Sequence, residues 1–270
     1  PLTLTIARDN QPSPLIITVV RDLIKTTSVR HKVLDEGYGY IRIAQFQANT
    51  GEEFRQSIQA LQQEKGSLKG LILDLRNNPG GLLPASVEVV DAMLDGGLVV
   101  YTEGRAPSSN TRFSAQAGEL LQGTPLVVLI NAGSASASEI VAGAIQDHHR
   151  GVIMGTGSFG KGSVQNILPL SDGRAIKLTT ARYFTPNGRS IQAEGIQPDI
   201  WVDRAEIKLA ASQQTGIKEA DLAGHLSQGA STKNTNKAVK QREKIKDYQL
   251  TEALNLLKGL AILSERPPVN

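Results

Sequence analysis

The sequence contains one local arrangement twice, and this repetition strongly constrains the fold. In each copy a short apolar run leads into a turn of small and polar residues, and a segment with apolar residues at helical spacing follows. The first copy comprises Leu71–Leu75, the turn 77–81 and Leu82–Leu94. The second begins with Leu126–Ile130 and continues through a serine-containing loop into Ala137–His149. Short apolar runs between turns are typical of buried strands, and strands that alternate with helices predict an α/β architecture.

Further strands are predicted before these two copies. The runs Leu2–Arg8 and Leu15–Arg21 are β-rich and flank a turn with asparagine, proline and serine, which predicts a β-hairpin. Residues 24–33 are expected to link this hairpin to a core that opens with the strand Gly39–Phe46. A helix capped at Thr50 is predicted to follow that strand.

A glycine-rich loop later in the chain resembles phosphate-binding motifs at first sight. Residues 155–161 satisfy G-x-G-x-x-G and nearly satisfy the Walker A pattern, but both motifs need a helix directly after the loop. Here Gly162 stands at the Ser/Thr position, and two β-rich runs follow, Ser163–Leu170 and Ala175–Phe184, around the turn 171–174. This pattern predicts a β-hairpin and argues against nucleotide binding.

Composition indicates a globular protein and excludes several functions. With 270 residues, of which 40% are hydrophobic and 20% charged, the chain can bury a sizeable core as one large domain or two small ones. The net charge of +3 comes largely from a basic cluster within 233–246, which is typical of a solvated helix or linker. Aromatic residues make up only 4%, so no nucleic-acid partner is expected.

The absence of cysteine excludes disulfides, thiol catalysis and cysteine metal sites. No run is long and apolar enough to span a bilayer, and the start at Pro1 without methionine suggests a fragment or a mature form. The four histidines lack the spacing of a metal site, and no metal is expected. A Ser-His-Asp triad of Ser136, His149 and either Asp74 or Asp199 is one alternative for catalysis.

A second catalytic alternative needs no histidine. A serine hydroxyl is a weak nucleophile that needs a neighbouring base, and a lysine can be that base only where burial lowers its pKa towards neutrality. Ser136 is followed by Lys161 and Gln165, and the last two are four residues apart. That spacing places both side chains on one face of either a strand or a helix, so the amide could orient the amine.

Chemistry alone does not single out Ser136. Ser134 and Ser138 carry the same hydroxyl, and Ser136 and Glu139 also fit a capping box for the following helix.

Backbone amides that could bind an oxyanion are predicted at two places. A serine between a strand end and a helix start leaves free N–H groups pointing at any anion above it, and Ala137 supplies one of them. The diglycine Gly80–Gly81 lets the main chain approach a ligand closely, so one of its two N–H groups is the second candidate.

Five segments resemble, in the same order, the carboxyl-terminal processing proteases, also called tail-specific proteases. These are serine peptidases with a Ser-Lys dyad assisted by a glutamine. The segments are Gly70–Gly81, Asn131–Ile140, Phe159–Gln165, Ala181–Gly188 and Gly195–Asp199. The resemblance implies Ser136 as nucleophile, Lys161 as base and Gln165 as the orienting amide. Together with the spacing of 25 residues to Lys161, it selects Ser136 over Ser134 and Ser138.

The resemblance also implies a domain organisation. It predicts a spiral β-β-α core like that of crotonases and the Clp-type peptidase. Residues 1–28 would be the C-terminal end of a peptide-binding PDZ domain, 29–212 the protease core, and 213–270 a linker and helical region. In some relatives an arginine near the PDZ junction couples PDZ position to the active site, which makes Arg21 a candidate regulatory residue.

The last region contains a predicted linker and an amphipathic helix. Residues 227–236 are rich in serine, glycine, asparagine and threonine, and Tyr248–Leu263 has apolar residues at helical spacing. A lone amphipathic helix of this length needs a partner surface. That surface is either the chain's own core or another copy of the chain.

The expected function is a serine endopeptidase that cuts protein or peptide substrates near their C-terminal tails without a cofactor. The resemblance further implies a periplasmic or cell-envelope location, a homo-oligomer, and an adaptor of the helical-repeat lipoprotein kind. Two alternatives are a crotonase-like acyl-CoA enzyme, which would have no role for Lys161 and Gln165, and a non-catalytic peptide-binding scaffold.

Overall fold

The computed structural model describes residues 1–9, 11–22, 27–206 and 247–264. The strands in these ranges are β1 (Leu2–Ile6), β2 (Leu15–Val19), β3 (Val29–Asp35), β4 (Tyr38–Ile43), β5 (Gly70–Asp74), β6 (Gly97–Gly104), β7 (Thr111–Ala115), β8 (Leu126–Ile130), β9 (Val152–Gly155), β10 (Ser163–Pro169), β11 (Ala175–Phe184) and β12 (Ile200–Trp201). The helices are α1 (Thr50–Lys65), α2 (Leu83–Asp91), α3 (Ala137–Asp147) and α4 (Tyr248–Ser264), with a 3-10 turn at Pro107–Ser109.

The central sheet is largely parallel. Its strand order is β12-β9-β8-β5-β4-β3, and only β3 runs antiparallel to its neighbour. Every residue of β5 and of β8 is buried, as expected for parallel strands that are covered on both faces. The predicted mixed α/β fold is therefore confirmed. Because β9, β8 and β5 are parallel neighbours, the loops that follow them emerge at the same edge of the sheet.

The second sheet is antiparallel, with the order β10-β11-β6-β7. The predicted hairpin of β10 and β11 is present, and the loop 156–162 before it leads into a strand. A helix N-terminus, which a phosphate-binding loop requires, does not follow this loop.

Two predictions near the start of the core were wrong. The segment 24–33 was expected to be a link, but β3 begins at Val29 and pairs with β4. Most residues of β3 are exposed, so the sequence of this edge strand lacks the apolar pattern by which a strand is recognised. Asn49 occupies the N-cap position of helix α1 without a side-chain capping hydrogen bond, and Thr50 is the first helical residue. The Thr50 hydroxyl instead accepts a hydrogen bond from the N–H of Gln47 at 2.8 Å.

Helix α4 packs on the chain's own sheet. Its buried side chains Ala253, Leu257 and Ala261 lie in one apolar cluster with residues of β5, β8 and β9. Helices α1, α2 and α3 cover the other apolar cluster. Two partner surfaces were predicted for this helix, the chain's own core and another copy of the chain. In the structure the helix packs on the chain's own core. Residues 227–236, the predicted linker, lie outside the described residues.

The predicted N-terminal hairpin is formed by β1 and β2 in antiparallel register. Arg21 follows β2 and is exposed. Among the helices described, none combines the length and hydropathy needed to cross a membrane.

The packing of α4 predicts a clear difference between two substitutions on the same helix. Leu257 is fully buried, so Leu257→Ala should lower the free energy of unfolding by about 2–5 kcal/mol. Ile262 is 69% exposed, and Ile262→Ala should change it by no more than about 0.5 kcal/mol. Urea denaturation checks both values. If Leu257→Ala kept its stability and only lowered the mass in light scattering, the helix would be packing on another copy.

Candidate active site

The loop that follows β5, here called the glycine loop (residues 75–82), is held close to Ser136. The side-chain amide of Asn78 donates to the carbonyl of Ile43 at 2.9 Å, and its oxygen accepts the N–H of Gly80 at 2.9 Å. A Cβ atom at Gly80 would lie 2.8 Å from the Cβ of Ser136. One at Gly81 would lie 2.0 Å from the carbonyl oxygen of Phe46. Both positions therefore require glycine, because a side chain would push the loop away from the serine at Gly80 and away from the backbone of Phe46 at Gly81.

The turn that follows β8, the serine turn (residues 131–137), and the start of α3 hold three serines that chemistry alone did not separate. Ser134 and Ser138 are fully buried, and their hydroxyls donate to the carbonyls of Leu75 at 2.8 Å and Asn78 at 2.9 Å. Ser136 is partly exposed. It also has φ = 56°, a left-handed conformation that is uncommon for residues other than glycine. Of the three hydroxyls, that of Ser136 is thus the one that a substrate can reach.

The loop that follows β9, the lysine loop (residues 156–162), is joined to the serine turn by the carboxylate of Glu139. One carboxylate oxygen accepts the backbone N–H of Ser136 at 2.7 Å and that of Lys161 at 2.9 Å. The other accepts the N–H of Gly160 and the hydroxyl of Ser158, both at 2.6 Å. Glu139 is completely buried. The sequence indicates Glu139 only as part of a helix cap, because its contacts to the lysine loop depend on the fold.

The structure brings the backbones of Ser136 and Lys161 together, since both N–H groups lie within 3 Å of one oxygen. Lys161 is partly buried, whereas Gln165 is exposed on β10. Within the described ranges, no hydrogen bond joins the side chains of Ser136, Lys161 and Gln165.

Of the predicted oxyanion donors, one is already engaged. The N–H of Gly80 donates to Asn78, as described above. The N–H groups of Gly81 and Ala137 have no acceptor among the described residues. The nitrogen of Ala137 would be 2.9 Å from a Cβ at Gly80, so the glycine loop lies against the start of α3. Of the three predicted oxyanion donors, two therefore keep an N–H group that is free among the described residues.

The alternative Ser-His-Asp triad is excluded by geometry. Ser136 precedes α3 and His149 follows it, so a helix of 11 residues, about 16 Å long, separates them. Asp74 is buried against Arg76, and a carboxylate oxygen of Asp199 accepts the N–H of Ile153 at 2.8 Å. Neither aspartate is placed to orient an imidazole beside Ser136.

A buried ion-pair network lies at the base of the glycine loop. The guanidinium of Arg76 donates to Asp74 at 2.7 Å, to Asp247 at 2.8 Å and to the side-chain oxygen of Gln249 at 2.9 Å. Burial alone would lower the pKa of Arg76, but these two carboxylates raise it above its ordinary value. The hydroxyl of Tyr40 also donates to Asp74 at 2.8 Å, and burial together with Asp74 raises the pKa of Tyr40 to about 12. The network ties the start of α4 to the end of β5.

On this α/β fold, a partly exposed serine thus stands at a strand-to-helix turn. The glycine loop and the lysine loop adjoin it, and the amides of Gly81 and Ala137 are free among the described residues. The chain belongs to peptidase family S41, whose family model matches residues 37–202.

Relatives and solved structures agree with this family. The chain is 44% identical over 272 residues to a carboxy-terminal-processing protease of Bartonella bacilliformis, covering 99% of this chain and 62% of that protein. It is 41% identical over 201 residues to a carboxyl-terminal-processing protease of Synechocystis sp., covering 73% of this chain and 46% of that protein. The chain thus spans less than two thirds of the length of either relative.

Among solved structures, the photosystem II D1 C-terminal processing protease matches with a TM-score of 0.60 and 36% identity, covering 71% of this chain and 52% of that one. An S41 protease from Bacteroides fragilis matches with a TM-score of 0.62 and 18% identity, covering 96% of this chain and 65% of that one, and shares the fold. The family expected from the five segments is confirmed.

Replacing Glu139 by glutamine should disturb the site. An amide has one acceptor oxygen, so about half of the four donors that face Glu139 would lose their acceptor, at a cost of about 1–3 kcal/mol each. Because displacement of a reacting group by about 1 Å can cost about 10²-fold in rate, we expect a loss of that size in peptide cleavage. The matched control is Glu194→Gln, which changes an exposed carboxylate. Equal rates and stabilities for the two variants would contradict the role of Glu139.

The Arg76 network predicts a pH-dependent stability. Burial alone would raise the pKa of Asp247, but the hydrogen bonds from Arg76 lower it below its ordinary value of about 3.9. The stabilisation is therefore present above about pH 4 and is lost as the pH falls through the lowered pKa. Since Asp247 is 39% exposed, Asp247→Asn should cost only about 1 kcal/mol at neutral pH and nothing in strong acid. Urea denaturation at both pH values measures this difference, and a pH-independent cost would contradict the assignment.

Proposed function

We propose that this protein is a serine endopeptidase that cleaves protein substrates near their C-terminal tails through a Ser-Lys dyad. Ser136 attacks the substrate carbonyl, and the neutral amine of Lys161 accepts the hydroxyl proton and later returns it to the leaving amine. Gln165 orients that amine. The N–H groups of Gly81 and Ala137 hold the oxyanion, and Gly80 supports them by its contact with Ser136.

One observation carries this proposal. The same buried oxygen of Glu139 accepts the N–H groups of both Ser136 and Lys161, so the proposed nucleophile and base lie on adjoining, fixed backbones. The free amides of Gly81 and Ala137 add an oxyanion site beside the partly exposed hydroxyl. Acyl transfer by serine needs a nucleophile, a base and an oxyanion site, and it needs no cofactor.

The finer architecture is part of the same proposal. The parallel sheet and its helices would form a spiral β-β-α core of the crotonase and Clp-peptidase type. The hairpin of β1 and β2 would close a PDZ domain that recognises substrate tails, and Arg21 would couple that domain to the site. This is supported by the antiparallel hairpin directly before the core and by relatives named for C-terminal processing.

The proposed location, substrates and partners are inferred from the family to which the chain belongs. We infer a periplasmic or cell-envelope location, protein or peptide substrates, assembly into a homo-oligomer, and an adaptor of the helical-repeat lipoprotein kind. Because α4 covers the chain's own sheet, such an oligomer would use another surface.

Substitution of the proposed dyad tests the mechanism. With an unstructured protein such as β-casein as substrate, Ser136→Ala and Lys161→Ala should each abolish cleavage, since proton transfer needs both partners. Gln165→Ala should slow cleavage, because it removes only the orienting amide. His149→Ala should leave the rate unchanged, since this exposed residue lies at the far end of α3.

The opposite pattern decides against the dyad. An enzyme that needs His149 and tolerates Lys161→Ala would use another base. If Ser136 reacted neither with casein nor with a small fluorophosphonate probe, the protein would be a peptide-binding scaffold.

A further inference from the structure

Strand β10 has one edge that faces no other strand within the described residues, because it ends the order β10-β11-β6-β7. Two hydrogen bonds to the hairpin partner bracket it: the carbonyl of Gly162 accepts the N–H of Tyr183, and the N–H of Leu170 donates to the carbonyl of Arg174, both at 2.7 Å. Main-chain groups in an antiparallel pair alternate in direction, so even-numbered residues of β10 face β11. The outward positions are Ser163, Gln165, Ile167 and Pro169.

The register supports this alternation along the whole strand. The one irregularity is a bulge, where Val164 pairs with Ala181 and Gln165 with Thr179. The extra residue, Thr180, belongs to β11, so the alternation on β10 is uninterrupted.

The N-terminal end of β10 lies near the serine. Lys161 stands two residues before β10, and its N–H points to the Glu139 oxygen that also accepts the N–H of Ser136. Gly162, the next residue, points its carbonyl the other way, to Tyr183 of β11. A chain paired with the outward edge of β10 would therefore have one end near Ser136.

The same hairpin exposes apolar side chains. Leu168 on β10 lies opposite Ile176 on β11, and Leu178 is two residues further along on the same face; their exposed fractions are 45%, 43% and 46%. Edge strands are usually protected by charges or proline, because an open apolar edge pairs with other chains. On β10 the protection is Pro169, at the end away from Lys161. The end near the proposed base is left open.

We propose that the outward edge of β10 binds the polypeptide substrate as an added strand. The main chain of the substrate would exchange hydrogen bonds with Gln165 and Ile167, and alternate substrate side chains would lie on the apolar face of Leu168, Ile176 and Leu178. This rests on the proposed function and specifies how its substrate is held. Main-chain pairing does not depend on which side chains the substrate carries, so it suits an enzyme that accepts unstructured chains.

A substitution that removes one outward N–H tests the pairing. Ile167→Pro deletes the outward donor, and proline is tolerated at outward edge positions, as Pro169 shows. Ile167→Val keeps the donor and is the matched control. Both are made in the Ser136→Ala protein, and binding of fluorescein-labelled β-casein is measured by fluorescence anisotropy. We expect Ile167→Pro to weaken binding roughly fivefold, about 1 kcal/mol, and Ile167→Val to bind within about twofold of the parent. Equal affinities for the two variants would overturn the proposal.

Amide hydrogen exchange gives a test without a change in β10. In the Ser136→Ala protein, saturating casein should slow exchange at Gln165 and Ile167 and leave the opposite edge strand, β7, unchanged. Unchanged exchange at Ile167 would overturn the proposal. So would a dimer in light scattering that Ile167→Pro dissociates with no change in casein affinity, because the edge would then belong to a second copy. Casein that binds at β10 but is not cut by the wild-type protein would instead refute the proposed peptidase function.

Discussion

A completely buried carboxylate organises this site. An isolated charge in a protein interior costs many kcal/mol, so it persists only where donors surround it. Glu139 has four such donors, three backbone N–H groups and one hydroxyl, all between 2.6 and 2.9 Å. Charge-assisted hydrogen bonds of this kind are short and strong. Because the donors belong to the serine turn and the lysine loop, displacement of either segment would leave both the charge and its donors unsatisfied.

The sheet topology determines which loops meet around that carboxylate. The glycine loop, the serine turn and the lysine loop follow β5, β8 and β9, which are adjacent and parallel. In α/β proteins, sites form where the carboxyl ends of such strands meet. Residues separated by 25 positions, Ser136 and Lys161, become neighbours because each stands just beyond its strand.

Local sequence patterns predicted the elements of this site better than their contacts. Strand β8 was predicted with its observed bounds, since five consecutive apolar residues between turns have a single simple interpretation. Strand β3 was missed because its side chains are mostly exposed. The apolar stripe of α4 was recognised from spacing, but a stripe does not identify the surface it covers. Likewise Glu139 looked like a helix cap, because three of its four donors lie 19 to 22 residues away in sequence.

Backbone strain indicates how the proposed dyad would close. Ser136 and Asn77 both have φ = 56°, and such conformations persist only where surrounding contacts hold them. Here the side chain of Asn131 accepts the N–H of Asn77 at 2.9 Å and donates to its side-chain oxygen at 3.0 Å, which locks the serine turn to the glycine loop. These hydrogen bonds hold the backbone that carries the proposed nucleophile and the proposed oxyanion amides. Glu139 holds the backbone of Lys161 in the same way, and Gln165 follows on β10, at the open edge of the hairpin. Because the backbones of both residues are held by one carboxylate, the proposed mechanism brings the Lys161 amine to Ser136 by rotation of side chains while a substrate strand pairs with β10.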